Sequence, residues 1–348
     1  MPINEAKAML SASAQAEVEK AKMATQDDFL APETMRANVR GVGVGVKWKN
    51  GEPTGEPALV VLVSQKLERN LLSRADLIPA KLGDMQTDVL AIGEVFAGNA
   101  EEPGVQTLTR RVRPAEGGYS VGHFQVTAGT MATAVYDFLP GATVSPPAHG
   151  LGIPPRFYIL SNNHVLANSN NASPGDPILQ PGVFDGGTLP TDLIARLSRF
   201  IPITFEPPVP RGLHRNLVDA AIAEGQFHDL DREIYWNGYV QGWQPRSKTL
   251  VGQRVKKTGR TTNMTTGRIT VLGATVDVNF GGGRVARFID QIVTTNISAP
   301  GDSGSLVLSE RGNLALGLLF AGSSVATIVN HFEHVRSLLR IEVAEGIG

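Results

Sequence analysis

Apolar residues in this chain come in short runs that glycine, proline or a polar turn repeatedly cuts off, and this punctuation limits the fold more than any other feature. Phe157-Tyr158-Ile159-Leu160 stops at Ser161-Asn162-Asn163, and Leu306-Val307-Leu308 starts just after Gly304. With 38 glycines, 22 prolines and 6% aromatic residues among 348, the chain favours many short strands and turns over long helices. At that length, with 42% hydrophobic residues, it can bury a sizeable core in two or three domains.

Residues 117–122, 129–136 and 157–160 read as successive short strands. A second set runs through 252–257, 267–271, 275–278, 288–294 and 306–308, with Gly281-Gly282-Gly283 as a turn. The pattern predicts a mainly β protein with two antiparallel barrels in tandem, the first over about 117–233 and the second over about 234–328. The Pro-rich stretches 139–156 and 202–210 cannot be central strands and are expected as surface loops. Periodic apolar residues over 329–343, among them Val329, Phe332, Val335 and Leu339, predict a C-terminal helix packed on the body.

Ahead of the barrels, 1–35 is expected to be an N-terminal helix, rich in Ala, Glu, Lys and Gln, on the surface or at an oligomer contact. Residues 36–110 are expected to form a small α/β domain, with strands at 39–46, 58–63 and 87–92 and a helix over 66–77. A charged link over 101–113 then leads into a domain spanning 111–348. Gly41-Val42-Gly43-Val44-Gly45 suggests a nucleotide-binding loop at first sight, but valine at every second residue fits a strand, and a turn, Trp48-Lys49-Asn50-Gly51, follows.

The formal charge of −1, from 32 basic and 33 acidic residues that look interspersed, gives no field for nucleic acid or an anionic membrane, and neither partner is expected. The absence of cysteine rules out disulfides, thiolate metal sites and a cysteine nucleophile. With no basic segment leading into an apolar run at the N-terminus, the expected location is cytoplasmic. His331 and His334 stand three apart, but no carboxylate pattern beside them supports a metal site, so neither metal nor cofactor is expected. His123, His149, His214 and His228 are expected in loops or at the surface.

Three segments carry chemistry. Gly301-Asp302-Ser303-Gly304-Ser305 sets a serine in a turn of small residues, His164 closes an apolar run, and Asp219 opens another, Ala220-Ala221-Ile222-Ala223. A serine hydroxyl is a weak nucleophile at neutral pH and needs a base within hydrogen-bond reach, itself oriented by a third group. His164, Asp219 and Ser303 follow one another in the chain order of the chymotrypsin triad. In that arrangement the N–H groups of Gly301 and Ser303 would face a developing oxyanion. Each residue alone has an ordinary structural explanation, as a packed histidine, a turn acid or a loop serine. The joint order favours the triad.

Ser161-Asn162-Asn163-His164-Val165-Leu166-Ala167, Val218-Asp219-Ala220-Ala221-Ile222-Ala223, Lys257-Thr258-Gly259-Arg260-Thr261-Thr262 and the Ser303 segment together resemble bacterial trypsin-like serine proteases related to the plant NARROW LEAF proteases, over about 117–339. The resemblance implies a chymotrypsin-like double β-barrel, His164 as base, Asp219 as orienting acid, Ser303 as nucleophile, a small preceding domain and assembly into homo-oligomers. It implies a protein or peptide substrate, with a first pocket lined by Ile297, Ser298, Ala299, Phe320, Ala321 and Gly322. None of these is charged, so small or apolar residues are expected before the scissile bond.

The chain also departs from the trypsin pattern. Asn162 and Asn163 replace two alanines, Phe320 stands where a serine often supports the catalytic Asp, and no Arg/Lys-Ile-Val-Gly-Gly activation site occurs. The site is therefore expected to form without cleavage. Two functions remain open: a serine endopeptidase, or a catalytically weak or inactive peptide-binding scaffold on the same fold.

Overall fold

The computed structural model describes residues 5–31, 36, 38–97, 108–126, 128–144 and 148–343. Residues 101–107 of the expected link lie outside the described residues, as do 1–4 and 32–35 of the expected N-terminal element and 344–348 at the C-terminus.

Helix α1 (Ala12–Thr25) starts at Ser11, whose hydroxyl accepts the Ala14 N–H at 3.2 Å and satisfies one of the free donors of the first turn. Val18 of α1 is fully buried against a sheet that begins with β1 (Val39–Lys49), β2 (Glu52–Val63) and β3 (Met85–Ala91). β1 and β2 pair antiparallel, while β2 and β3 pair parallel with Leu59 opposite Thr87. The helix expected over 66–77 is only a 3-10 turn at Arg69–Leu71. Just beyond it the Ser73 hydroxyl bonds the Asp76 carboxylate at 2.6 Å and accepts the Asp76 N–H at 3.3 Å, a local turn that competes with helix.

The first barrel consists of β4 (Ser120–His123), β5 (Gly129–Thr130), β6 (Ala134–Asp137), β7 (Phe157–Ser161), β8 (Pro177–Leu179), β9 (Leu193–Phe200) and β10 (Ala221–Gly225). The order runs β6–β7–β10–β9–β8–β4–β5. It closes through the run between β5 and β6, where Met131 N–H donates to Tyr119 O at 2.9 Å and Ala132 N–H to Leu160 O at 2.8 Å. A single helical turn, α2 (Asn163–Leu166), leaves the end of β7.

The second barrel is β11 (Arg254–Gly259), β12 (Asn263–Asn279), β13 (Val285–Thr295), β14 (Leu306–Ser309), β15 (Ala315–Gly322) and β16 (Ala326–His331). Its order is β11–β14–β15–β16–β13–β12, and β12 returns to β11 to close the ring. β12 is one long strand where two were expected, bent at Gly273. Its first part pairs with β11, and its later part pairs with β1, Gly45 opposite Val271 and Gly41 opposite Val276. The segment expected as a small α/β domain therefore shares a sheet with the second barrel.

The Gly-Val alternation of β1 has a packing reason. A Cβ on Gly41 would stand 2.3 Å from Thr275 O, and one on Gly43 would stand 2.3 Å from Val271 Cγ1, so only glycine lets β1 lie this close to β12. Val42, Val44 and Val46 point the other way, into a core with Val18, Phe29 and Leu59.

The seam between the barrels has its own core. Val135, Tyr158 and Ile222 of the first ring meet Leu306 and Leu318 of the second, and α3 (Phe332–Leu339) covers both with Phe332, Val335 and Leu339. The helix expected over 329–343 is thus shorter: its first residues finish β16, and Ile341–Glu342 returns to pair with β6. Within the Pro-rich stretch 202–210, Ile203 and Phe205 are buried on the second barrel's core and do not form a free surface loop. Gly41→Val should force β1 away from β12 and cost roughly 1–3 kcal/mol. Urea unfolding should show a lower midpoint with an unchanged slope.

Candidate active site

β7 and β10 run antiparallel with Ser161 opposite Ala221, so the chain leaving β7 and the chain entering β10 meet at one end of the first barrel. This brings His164 and Asp219 together. The imidazole Nδ1 lies 2.6 Å from Asp219 Oδ2, and the His164 backbone N–H donates to Asp219 Oδ1 at 3.1 Å. Asp219 is fully buried and His164 nearly so. The carboxylate thus receives charge-stabilising bonds from the histidine's ring and its backbone, and no serine at position 320 is needed.

Asn162 Nδ2 donates to Asp219 O at 2.7 Å. From the second barrel, Asn330 Oδ1 accepts the Asp219 N–H at 3.0 Å, while Asn330 Nδ2 donates to Gln291 Oε1 at 2.7 Å. Gln291 in turn donates to Leu217 O at 2.9 Å. Asn163 ties α2 to the next loop, its Nδ2 donating to Asn170 Oδ1 and Ile201 O, each at 2.8 Å. The two asparagines that replace alanines thus hold the backbone around the pair. Asn330 and Gln291 carried no sequence signal beyond their place in apolar strands.

Ser303 sits on a turn whose acid is buried. Asp302 Oδ2 lies 3.0 Å from Lys257 Nζ, and both side chains are withdrawn from solvent. The same carboxylate accepts the N–H groups of Thr261 (2.9 Å), Thr262 (3.2 Å) and Ala299 (3.1 Å) and the Thr262 hydroxyl (2.6 Å). Burial pushes the Lys257 ammonium below the usual lysine range, and Asp302 acts against that shift. Gly301 has φ +94°, and a Cβ there would fall 2.1 Å from Arg260 Nη1, so the turn demands glycine for both reasons.

The turn docks on the first barrel. Thr130 N–H donates to Ser303 O at 2.7 Å and Thr130 Oγ1 to Gly301 O at 2.9 Å. A Cβ on Gly129 would touch both Val165 Cγ2 (2.4 Å) and Ser303 O (2.9 Å), so the residue next to His164 and the serine backbone share one neighbour. The Ser303 hydroxyl itself points to Phe320 O at 3.4 Å, and His164 Nε2 has no hydrogen-bond partner among the described residues. The histidine and the carboxylate are thus joined, while no hydrogen bond links the hydroxyl to the ring.

A cleft of about 890 Å³ opens beside Ser303, with Ser298, Ala299, Ala321 and Gly322 in its lining. Ile297 and Phe320, expected there, are instead buried in the core: Ile297 packs with Leu319 and Val329, and the Phe320 ring lies 4.6 Å from the Phe288 ring. At Phe320 the pairing of β15 with β16 shifts register, between Leu319 and Ala321. Glu94 and Phe96, far upstream in sequence, complete one wall.

Of the other histidines, His123 is buried at the end of β4, contrary to expectation, His214 is buried within a loop, and His149 and His228 are exposed. His334 Nε2 lies 2.8 Å from Asp290 Oδ2, and His331 Nε2 3.9 Å from Asp290 Oδ1. Burial lowers the His331 pKa to about 4.

Lys257→Met would leave Asp302 as an uncompensated buried charge, and the expected cost is about 3–5 kcal/mol of folding stability. Chemical denaturation of the variant beside the parent measures it.

No protein-family model matches the chain. Over 95 residues it is 39% identical to Serine protease 2 of Streptomyces fradiae, covering 27% of this chain and 51% of that protein. It is 39% identical over 89 residues to Glutamyl endopeptidase 2 of Streptomyces griseus, covering 26% and 43%. The chain thus spans about half or less of the curated relatives it matches. Among solved structures, Thermobifida fusca Protease A overlays with a TM-score of 0.43 at 15% identity, over 66% of this chain and 98% of that one, an overlap too loose to add to the strand topology above. The sequence similarity is to bacterial trypsin-like serine proteases, and it is confined to about a quarter of this chain.

Proposed function

We propose that the chain is a serine endopeptidase that cleaves peptide bonds through an acyl-enzyme, with Ser303 as nucleophile, His164 as general base and then acid, and Asp219 as the orienting carboxylate. The observation that carries this reading is the buried 2.6 Å contact between His164 Nδ1 and Asp219 Oδ2, with Nε2 left unpaired on the ring's other side. Ser303 Oγ attacks the substrate carbonyl carbon as its proton passes to Nε2. Asp219 stabilises the imidazolium through the Nδ1–H bond. The N–H groups of Gly301 and Ser303 receive the negative charge that develops on the carbonyl oxygen. As the intermediate collapses, His164 returns the proton to the leaving amine, and water, deprotonated by the same imidazole, then releases the acyl group from Ser303.

The Lys257–Asp302 pair supports a site formed without cleavage, because the cation that holds Asp302 comes from within the folded chain. The small, uncharged floor of Ser298, Ala299, Ala321 and Gly322 supports small or apolar residues before the scissile bond. Kinship with the plant NARROW LEAF proteases, oligomeric assembly and a cytoplasmic setting belong to the same proposal. The motif resemblance supports the first two, and the cysteine-free sequence suits a reducing compartment. One observation favours the peptide-binding alternative: the Ser303 hydroxyl donates to Phe320 O, and His164 Nε2 receives no hydrogen bond from it.

A fluorophosphonate probe separates the two readings. Purified, uncut full-length protein should be labelled on Ser303, and Ser303→Ala should abolish labelling and lower turnover by roughly 10⁴ to 10⁶. Absence of labelling, or labelling only after proteolytic clipping, would count against an enzyme ready to act. A peptide-library profile dominated by Lys or Arg before the cleaved bond would overturn the pocket assignment.

A further inference from the structure

The edge of β15 that faces Ser303 is partly filled by the chain itself. Along that edge Leu306 of β14 pairs with Leu318, and then Gly304 N–H donates to Leu319 O at 2.8 Å. Phe320 O comes next and receives the Ser303 hydroxyl. Two residues on, the backbone of Gly322 is already paired. Phe96 N–H donates to Gly322 O and Gly322 N–H to Phe96 O, both at 3.0 Å, one full antiparallel pair.

The segment that makes this pair is held from several sides. Asn279 N–H, at the end of β12, donates to Val95 O, and Ala97 N–H donates to Asn279 O, each at 3.0 Å. The side chains of Val95 and Ala97 are buried in the second barrel's core. Arg40 grips Glu94 through Nη2–Oε1 at 2.6 Å and Nε–Oε2 at 3.0 Å, and the Ser323 hydroxyl donates to Ile92 O. The Phe96 ring is left half exposed, on the wall of the cleft, beside the exposed Glu94 side chain.

An extended peptide adding to this edge would follow strand periodicity. If the residue whose carbonyl meets Ser303 lies opposite Phe320, the residue two positions upstream falls opposite Gly322. That place is taken. We infer that residues 94–97 are a built-in stand-in for the third substrate residue upstream of the cut, so the site accepts acyl groups of one or two residues along β15 and draws nothing from longer ones. Its substrates are then peptides with a short upstream part, or chains that turn away from the edge after the second residue. This rests on the serine-hydrolase reading above.

The test is a series of succinyl-oligoalanyl diphenyl phosphonates with one to four alanines, reacted with the full chain and followed by mass spectrometry at Ser303. A peptide free to make both hydrogen bonds at Gly322 would gain about tenfold. The expected result is a flat profile, with inactivation rates for two, three and four residues within about twofold. Phe96→Ala keeps the backbone pair and should stay flat. Phe96→Pro removes the N–H given to Gly322 and should bring back a tenfold rise with length. A tenfold rise in the parent, or a flat profile in folded Phe96→Pro, would overturn the inference. If Phe96→Pro fails to fold, the profiles of the parent and Phe96→Ala decide the matter. Fluorophosphonate, which needs no upstream residue, keeps the two ideas apart: labelled Ser303 with a rising profile sinks this inference alone, and unlabelled Ser303 sinks the hydrolase reading and this inference with it.

Discussion

A carboxylate with no access to water fixes the shape of the serine turn. Removing the charge of Asp302 from solvent is costly unless every lone pair finds a donor, and here Lys257, three backbone amides and a threonine hydroxyl supply them. Those donors come from β11, from the loop after it and from the start of the turn itself, so the carboxylate is the knot joining three stretches of backbone. The turn has one low-energy conformation because any other would strand this charge. The positive φ of Gly301 follows from that constraint.

The same logic operates across the seam. His164 and Asp219 come from the first barrel and Ser303 from the second, so their relative positions depend on ties between the two. Thr130 grips the serine turn from one side, and Asn330 grips the Asp219 backbone from the other. Arg260 of the second barrel forms a buried pair with Asp185 of the first, Nη2 to Oδ1 at 2.6 Å. α3 and the short strand after it then lace the chain's end back onto β6. With polar pins and an apolar filling, the seam is built to resist sliding, which the proposed three-residue site, split between two bodies, requires.

The sequence displayed the parts of this site that are local. His164, Asp219 and Ser303 each sit at the end of an apolar run, and strand periodicity alone brings such ends to one rim. The barrels were legible for the same reason, since glycine and proline punctuate them. What stayed hidden is long-range. Nothing near Lys257 marks it as the partner of an acid 45 positions later, and Phe96 meets Gly322 only because β1 to β3 fold onto the second barrel. The helix expected over 66–77 failed to a serine turn, and Phe320, placed in the pocket by resemblance, lies in the core beside a register shift that no motif announces. Local chemistry defeats propensity in the first case, and core packing overrides the resemblance in the second.

The long strand β12 has a consequence of its own. Its first half closes a barrel, but its second half has one flank covered by β1 and, at Asn279, by residues 95–97, and the valines of β1 seal the apolar surface beneath. A chain trimmed to the two barrels would therefore present a bare row of amide and carbonyl groups beside exposed hydrocarbon, the template on which strands of other molecules stack. The upstream third of the molecule cannot be discarded like a leader peptide once folding is done; it is the lateral seal of the protein, and its loss would leave the fold sticky.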